Sequence, residues 1–557
     1  MLVTPRGHQD ITVHLRGTKI KQVKTQKVLG ITLDENFSFK QHVEAASTKA
    51  MKSLNKISML SNSVGGASAE VLLLLFKGCV LPLLEYGYST WCTCNDTTSL
   101  ESVQHAALTR ILGAMEHSST AAMEVIANVL PLQIRLQVKL VQSFIRIYRK
   151  PDNNSLRNKV VQLRLNPQFI MGQRNSPIHM LQLAEMQLAD FTVDVVEPAI
   201  HETIDDITRK NNMQLIITDQ KIGSSGNRTA EQERLAQETA LSYITEAGND
   251  AIIFTDGSAT PNPGPCGAGI CAYWAGITAE PSETAIAVSK HSSSYHGELK
   301  AIDAALEMAA NRGYQGTLHI LSDCQSALKI ATSNDISSNF CLLSKNIKEN
   351  AARINGNIRM IWIAGHASIE GNEKADVLAK EGAASAPGNR DLFVTQISSS
   401  EAKTRLNANA VKRWKDRWRR QNTGHCLVQD IDSNRRIRHT YSREVECKVY
   451  RMALQHTRLE ENMHKMYPAA HPTPACECRQ GTGTVDHYLQ HCSLYVEQRE
   501  EMINTIEHEF RRQNTDPNDY DTSTRSLLGL NKAFNPTLQS TIASALSRFL
   551  TKTKKPI

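Results

Sequence analysis

Four acidic residues and a histidine in the middle of this 557-residue chain have the types and settings that metal-assisted hydrolysis requires. Asp256 follows the run Ile252-Ile253-Phe254-Thr255 and precedes Gly257-Ser258, so a strand is expected to deliver its carboxylate beside a flexible turn. Glu298 stands in Tyr295-His296-Gly297-Glu298-Leu299, at the start of a helix whose expected buried stripe is Leu299, Ile302, Leu306 and Ala309. Asp323 ends the strand-like run Leu318-His319-Ile320-Leu321-Ser322, and Asp376 lies ten residues beyond His366, on what should be a short helix running to Gly382. Carboxylates gathered from separate elements repel one another, and a fold tolerates them chiefly when a cation neutralises the cluster. Oxygen-only ligands select a hard ion, magnesium or manganese rather than zinc. Two such ions about 4 Å apart activate a water and stabilise the leaving oxygen in an in-line attack on phosphorus. Taken singly, each acid has an ordinary role, an Asp before Gly as a turn former and a Glu in a first helical turn as a partner of the helix dipole.

The elements that must position these groups are regular between Asp250 and Ala386. Ile252 to Phe254, Thr317 to Leu321 and Ile358 to Ile363 read as strands separated by helical segments, the pattern of an α/β domain. Pro387-Gly388-Asn389 closes it.

The ordered set Thr255-Asp256-Gly257-Ser258, Gly297-Glu298-Leu299-Lys300-Ala301-Ile302, Ser322-Asp323-Cys324-Gln325-Ser326-Ala327-Leu328, and Gly365-His366 with Gly371-Asn372-Glu373-Lys374-Ala375-Asp376 resembles the type 1 ribonuclease H domain. The resemblance implies a mixed sheet flanked by helices and hydrolysis of the RNA strand of an RNA–DNA hybrid, leaving a 3′-hydroxyl and a 5′-phosphate. It further implies that Asp256, Glu298, Asp323 and Asp376 hold two magnesium ions, with Asp256 as bridge, and that His366 assists proton transfer or product release. A hybrid-specific nuclease must sense the 2′-hydroxyl and groove shape through backbone and minor-groove contacts. Ser258, Asn262 and Gln325 lie near the acids in sequence and either supply such contacts or cap turns. From Cys324 to Ile358 the only cations are Lys329, Lys345, Lys348 and Arg353, so the domain lacks a dense basic handle of its own.

The flanks carry further signals. Val28 to Leu33 is a β-like run, and Val43, Ala46, Ala50, Leu54 and Ile57 fall at helical spacing. An apolar segment from Ala69 to Trp91 carries Pro82, which should end or kink a helix. Val28 to Asp34 with Phe39 to His42, then Leu81 to Gly87 ending at Trp91, resemble the region after the palm of non-LTR retrotransposon reverse transcriptases. That family's aromatic-Ala-Asp-Asp signature does not occur, and Asp205-Asp206 stands in the wrong context, so a thumb-like remnant or a plain helical packing block is expected. Cys476, Cys478, His487 and Cys492 form a C-x-C-x8-H-x4-C array with the soft ligands of a structural tetrahedral zinc site, although His491 competes with His487. The array resembles the zinc-knuckle-like element that follows ribonuclease H in such retroelements.

Between these lies a basic stretch, Lys403 through Lys465, with 16 Lys or Arg against 7 Asp or Glu, a local +9 that exceeds the +7 of the whole chain. Its densest part, Lys412-Arg413-Trp414-Lys415-Asp416-Arg417-Trp418-Arg419-Arg420, places both tryptophans on one helix face, either as a buried stripe or as part of a nucleic-acid grip. Lys412, Arg413, Arg417, Arg419 and Arg420 are the candidate phosphate contacts. The longest apolar run, Val71 to Leu84, is broken by Lys77 and Pro82 and is too short to span a bilayer, so no membrane association is expected. The start Met1 to Arg6 shows no secretory signal, and twelve scattered cysteines suit a reducing compartment, nuclear or cytoplasmic.

The expected organisation is therefore multidomain. It comprises a thumb-like helical block at 1–150, a connecting region at 151–247 with a loop at Gly223 to Gly226, and the ribonuclease H domain at 248–387. A basic helical segment at 388–470, a zinc element at 471–495 and a helical tail at 496–557 follow. The competing readings are a nucleic-acid-binding protein with an inactive ribonuclease H fold and a DNA-cutting recombinase. The Glu298 and His366 motifs argue against the latter.

Overall fold

The computed structural model describes residues 12–20, 22–94, 96–151, 153–165, 176–189, 191, 196, 213–218, 222, 228–333, 340–389, 397–421, 426–428, 431, 441–516, 519–531 and 533–557. Met1 to Arg6, Asp205-Asp206, Gly223 to Gly226 and parts of the basic stretch (422–425, 429–430 and 432–440) lie outside the described residues. Two compact units emerge, one drawn from residues 1–140, 173–188 and 407–557, the other from 141–172 and 189–406.

The second unit is built on a mixed six-stranded sheet. Its strands are β1 (Met213–Ile216), β2 (Ala251–Ala259), β3 (Gly264–Tyr273), β4 (Ser282–Ser292), β5 (Leu318–Ser322) and β6 (Ile358–Trp362), in spatial order β1-β6-β5-β2-β3-β4. β2, β3 and β4 form an antiparallel meander, while β5, β6 and β1 run parallel to β2. Five helices accompany it: α1 (Ala230–Ala247), α2 (Ser294–Asn311), α3 (Gln325–Thr332), α4 (Cys341–Ala352) and α5 (Glu370–Ser385).

The period of two along a strand explains why helices cover both faces. In β2, Ala251 and Ile253 enter an apolar cluster with Leu299, Ile302 and Leu306 of α2, Leu328 of α3 and Ile347 of α4. Ile252 and Phe254 point the other way, into a cluster with Ala236, Ala240 and Ile244 of α1 and Ala375 of α5. The expected α2 stripe Leu299, Ile302, Leu306 and Ala309 is buried. β1 lies in the stretch read as a connecting region, yet it pairs with β6 from Ile358↔Met213 to Ile361↔Ile216.

The first unit is mainly helical, with two short hairpins. The run Val28 to Leu33 is not one strand. Thr25–Val28 and Ile31–Asp34 pair antiparallel around a turn at Leu29-Gly30, both at positive φ, as a tight hairpin requires. Helix Lys40–Ser58 follows, with Val43, Ala50 and Leu54 buried as its spacing predicts. The Pro82 segment becomes helix Ala69–Leu75, a π-helical turn Phe76–Val80 and a new helix Leu81–Glu85, with the proline in the first turn where its missing N–H costs nothing. The tail carries helices Val496–Arg512, Thr524–Leu527 and Pro536–Thr553. No helix among the described residues is long and apolar enough to cross a membrane.

Candidate active site and candidate metal centre

β2 and β5 are parallel neighbours in register Thr255↔Ser322, so Asp256 and Asp323, the next residues along, emerge side by side. Asp256 does not precede a turn: β2 continues to Ala259, and Gly257 stands opposite Ala268 of β3. The glycine serves close approach instead. A Cβ on Gly257 would lie 2.1 Å from the Glu298 backbone nitrogen and 2.5 Å from the Gly297 carbonyl carbon, so only glycine lets the first turn of α2 press onto the strand. That contact carries Glu298 to the two aspartates. Carboxylate oxygens of Asp256, Glu298 and Asp323 all lie within 4.8 Å of one another.

Both Asp256 and Glu298 are buried, at 8% and 7% exposure. Glu298 Oε2 is buried without a hydrogen-bond partner. Burial, followed by the Asp323 and Asp376 charges, pushes Asp256 up to about 7, while burial and the Asp256 charge hold Glu298 well above the usual carboxylate range. Burial also raises Asp323, against the opposing pull of the His366 charge. Neighbouring acids that each favour protonation, one with an orphaned oxygen, form a donor set suited to a hard divalent cation.

Asp376 and His366 stand at the rim. Asp376 lies on α5, longer than the short helix its sequence predicts because Gly382 does not stop it; a Cβ there would meet the Ile286 carbonyl oxygen at 2.4 Å. Asp376 is half-buried and bonded by Lys380 Nζ at 2.6 Å, outside the three-acid cluster but close enough that its charge raises both Asp256 and Asp323. His366 is exposed, on the loop after β6, at φ 54°.

The candidate substrate contacts divide. Asn262 takes the capping role, donating to Ser294 Oγ at 3.0 Å and accepting from the Ser294 amide at the start of α2. Ser258 lies two residues beyond Asp256 on β2, and Gln325 opens α3 with its Oε1 3.5 Å from Lys329 Nζ. Of the domain's few cations, Lys348 is buried and donates to the Ser333 carbonyl at 2.7 Å and the Ile330 carbonyl at 3.1 Å. One group escaped sequence reasoning: Arg228 Nη1 donates to the Gly365 carbonyl at 2.7 Å, beside His366, from a position whose neighbouring Thr229-x-x-Gln232 motif marks a helix start and not a site.

Helix Ser399–Gln421 extends into the basic block. Trp414 and Trp418 are buried, so the stripe faces protein. Lys412, Arg419 and Arg420 are exposed. Arg413 is partly buried against Gln137, and Arg417 bonds Gln421 at 3.1 Å.

The sulfur-rich array also closes. Cys476, Cys478, His487 and Cys492 place their ligand atoms within 4.8 Å of one another, with Cys476 and Cys492 sulfurs 3.7 Å apart and Cys478 Sγ 3.2 Å from His487 Nε2. A turn from Cys476 to Arg479, the latter at φ 60°, and a hydrogen bond donated by the Cys476 amide to the Gly481 carbonyl accommodate the one-residue gap. The π-helical turn His487–His491 separates the two histidines: His487 is buried at the cluster, and the His491 side chain is 67% exposed beside Asp486. The Gln480 amide, with His487, pulls the Cys478 thiol down to about 6, while burial raises the Cys476 and Cys492 thiols. These donors fit tetrahedral zinc. The purified chain is expected to hold one zinc per molecule and to lose it on Cys492→Ser, with a lower Tm. Metal-free protein whose Tm is unchanged by a chelator would contradict this.

Residues 248–384 match the RNase H family model. Among solved structures, the N-terminal RNase H domain of a Mycobacterium tuberculosis protein, fused to maltose-binding protein, is 21% identical over 25% of this chain and 96% of its own, with a TM-score of 0.21. RNase H1 of the halophilic archaeon Halobacterium salinarum is 22% identical over 24% of this chain and 96% of its own, with a TM-score of 0.21. LC11-RNase H1 in complex with RNA/DNA hybrid is 21% identical over 25% and 99%, with a TM-score of 0.22. No curated protein matches the chain. Residues 248–384 thus form an RNase H-like domain, its sheet extended at the β6 edge by β1 from outside the matched segment.

Proposed function

We propose that this chain hydrolyses the RNA strand of RNA–DNA hybrids through its RNase H-like domain. The observation that carries the reading is the convergence of Asp256, Glu298 and Asp323, from two adjacent parallel strands and a helix packed on Gly257, inside the segment that matches the RNase H family. Asp256, Glu298 and Asp323 would hold magnesium, with Asp376 completing the set from α5. Magnesium bound there would lower the pKa of a water and offset negative charge on the phosphodiester.

The chain's own groups do the rest. Hydroxide adds to phosphorus, the bond from phosphorus to O3′ breaks, and O3′ takes a proton, leaving a 3′-hydroxyl and a 5′-phosphate. Burial of Asp256 and Glu298 keeps bulk water from the cluster and strengthens its electrostatics. His366, exposed at the rim, would move a proton at the departing oxygen or ease product release. Strand-resolved cleavage of hybrid, duplex DNA and duplex RNA tests the assignment: RNA cut within the hybrid supports it, whereas duplex DNA as the preferred substrate would point to a recombinase-type nuclease.

The wider reading is a retroelement-derived protein. In it, 1–150 is a thumb-like remnant, 151–247 a connection, 248–387 the nuclease, 388–470 a basic segment, 471–495 a zinc element and 496–557 a tail. The basic segment would hold phosphates through Lys412, Arg419 and Arg420, the candidate phosphate contacts that its helix leaves exposed. Replacing all three with alanine is expected to weaken hybrid binding and to flatten the dependence of log K on log salt by about 2 to 3 units, since each phosphate contact contributes about 0.9. An unchanged slope would remove these residues from the interface.

A further inference from the structure

The segment that matches the RNase H family begins at residue 248, yet a group from twenty residues earlier reaches the candidate active site. Arg228 stands immediately before the capping box of α1, in which Thr229 Oγ1 accepts from the Gln232 amide and Gln232 Oε1 accepts from the Thr229 amide. That reciprocal pair fixes where the helix starts. The buried face of α1, Ala236, Ala240, Ile244 and Ala247, shares an apolar cluster with Ile363, Ala364, Ala367 and Ile369, the residues on either side of Gly365-His366. The start of α1 is thereby held against the loop that carries the histidine.

From this anchored position Arg228 Nη1 donates to the Gly365 carbonyl at 2.7 Å. Gly365 in turn lies directly on Asp323: a Cβ there would sit 2.2 Å from Asp323 Oδ2. The carbonyl that Arg228 grips therefore belongs to the residue that backs one site carboxylate and precedes the rim histidine.

We propose that Arg228 is a positioning residue for the active site, locking the Gly365-His366 turn against Asp323, so that the working nuclease unit extends back through α1. The inference rests on the hydrolytic reading above and adds to it a residue outside the matched segment. A charge-assisted hydrogen bond to a carbonyl is stronger than a neutral one, and the planar guanidinium fixes direction as well as distance. Loss of that bond would let the turn move without disturbing the sheet. Misplacing a catalytic group by about 1 Å can cost a hundredfold in rate.

The test uses the full chain with Arg228→Ala, Arg228→Gln and Arg228→Lys. With saturating magnesium, Arg228→Ala is expected to lower kcat on an RNA–DNA hybrid by about tenfold or more. KM should change by less than about twofold, because the residue acts through the loop and not on the substrate. Arg228→Lys, which keeps a charged donor, should recover most of the rate, and Arg228→Gln should fall between. Hydrogen exchange measured by mass spectrometry should rise in the peptide spanning 362–369 for Arg228→Ala and stay at the parent level elsewhere. Parent-like kcat and parent-like exchange in that peptide would overturn the proposal, as would a change confined to KM. If the parent chain itself fails to cut hybrid, the hydrolytic reading falls while the exchange measurement still decides the positioning.

Discussion

Replacing Glu298 with glutamine is expected to abolish hybrid cleavage, by at least about a thousandfold, while leaving the metal-free chain as stable as the parent or more so. The two halves of this result have one cause. Glu298 is buried, its Oε2 lacks a hydrogen-bond partner, and burial together with the Asp256 charge disfavours its ionised form. Without a cation the side chain is best accommodated as the neutral acid, which glutamine matches in shape. With a cation the ionised form is required, and glutamine cannot supply it. A residue retained for packing would behave in the opposite way, losing stability before activity.

The same electrostatics set a pH signature. Asp256 in the folded, metal-free chain titrates near 7 against an ordinary 3.8. Between those values the unfolded chain has released a proton that the folded chain retains, so the metal-free fold loses stability as pH rises from about 4 to about 7 and levels off above. Magnesium replaces the proton. Its addition should therefore raise Tm more at pH 7.5 than at pH 5, and Glu298→Gln should remove most of the gain. A magnesium-induced shift that is equal at both pH values and survives the substitution would mean that the ion binds elsewhere.

Gly257→Ala is the second large effect. The added methyl would fall 2.1 Å from the Glu298 backbone nitrogen and 2.6 Å from the Ser294 carbonyl oxygen, neither of which is the yielding end of a flexible side chain. Helix α2 must back away from β2. Overpacking of this kind costs about 1 to 3 kcal/mol. Because α2 carries Glu298, a displacement approaching 1 Å should also lower kcat by about a hundredfold. Thermal unfolding and steady-state kinetics on one preparation check both parts. Unaltered kcat alongside a lowered Tm would show that Glu298 tolerates movement, contrary to the account.

What could be read from the sequence, and what could not, follows from the range of each interaction. The acids of β2, α2 and β5 were legible because each follows a local signal, a β-branched run or an amphipathic stripe, and because their order resembles one family. Gly257 was misread for the opposite reason. Asp-Gly is the local signature of a turn, and only the approach of α2 reveals that the glycine sits mid-strand for lack of room. Gly382 misled in the same way, as a helix stop that is really a close contact with β4. β1 is a four-residue strand, too short for its Met213-Gln214-Leu215 alternation to stand out, and its membership depends on its pairing with β6. The Val28 to Leu33 run hid a hairpin because Leu29, not a usual turn residue, precedes Gly30 at the bend. The competition between His487 and His491 was decided by a π-helical turn, whose extra residue no helical period anticipates.

The central claim is that the three converging carboxylates make a magnesium-dependent, hybrid-specific ribonuclease. Its most direct test is single-turnover cleavage of an end-labelled RNA–DNA hybrid by the full chain, with parent and Glu298→Gln run side by side under magnesium titration. The account predicts RNA fragments ending in a 3′-hydroxyl, formed by the parent only with magnesium and not formed by Glu298→Gln. A parent that binds hybrid yet yields no product at any magnesium concentration, or a Glu298→Gln variant that cuts at the parental rate, would contradict it.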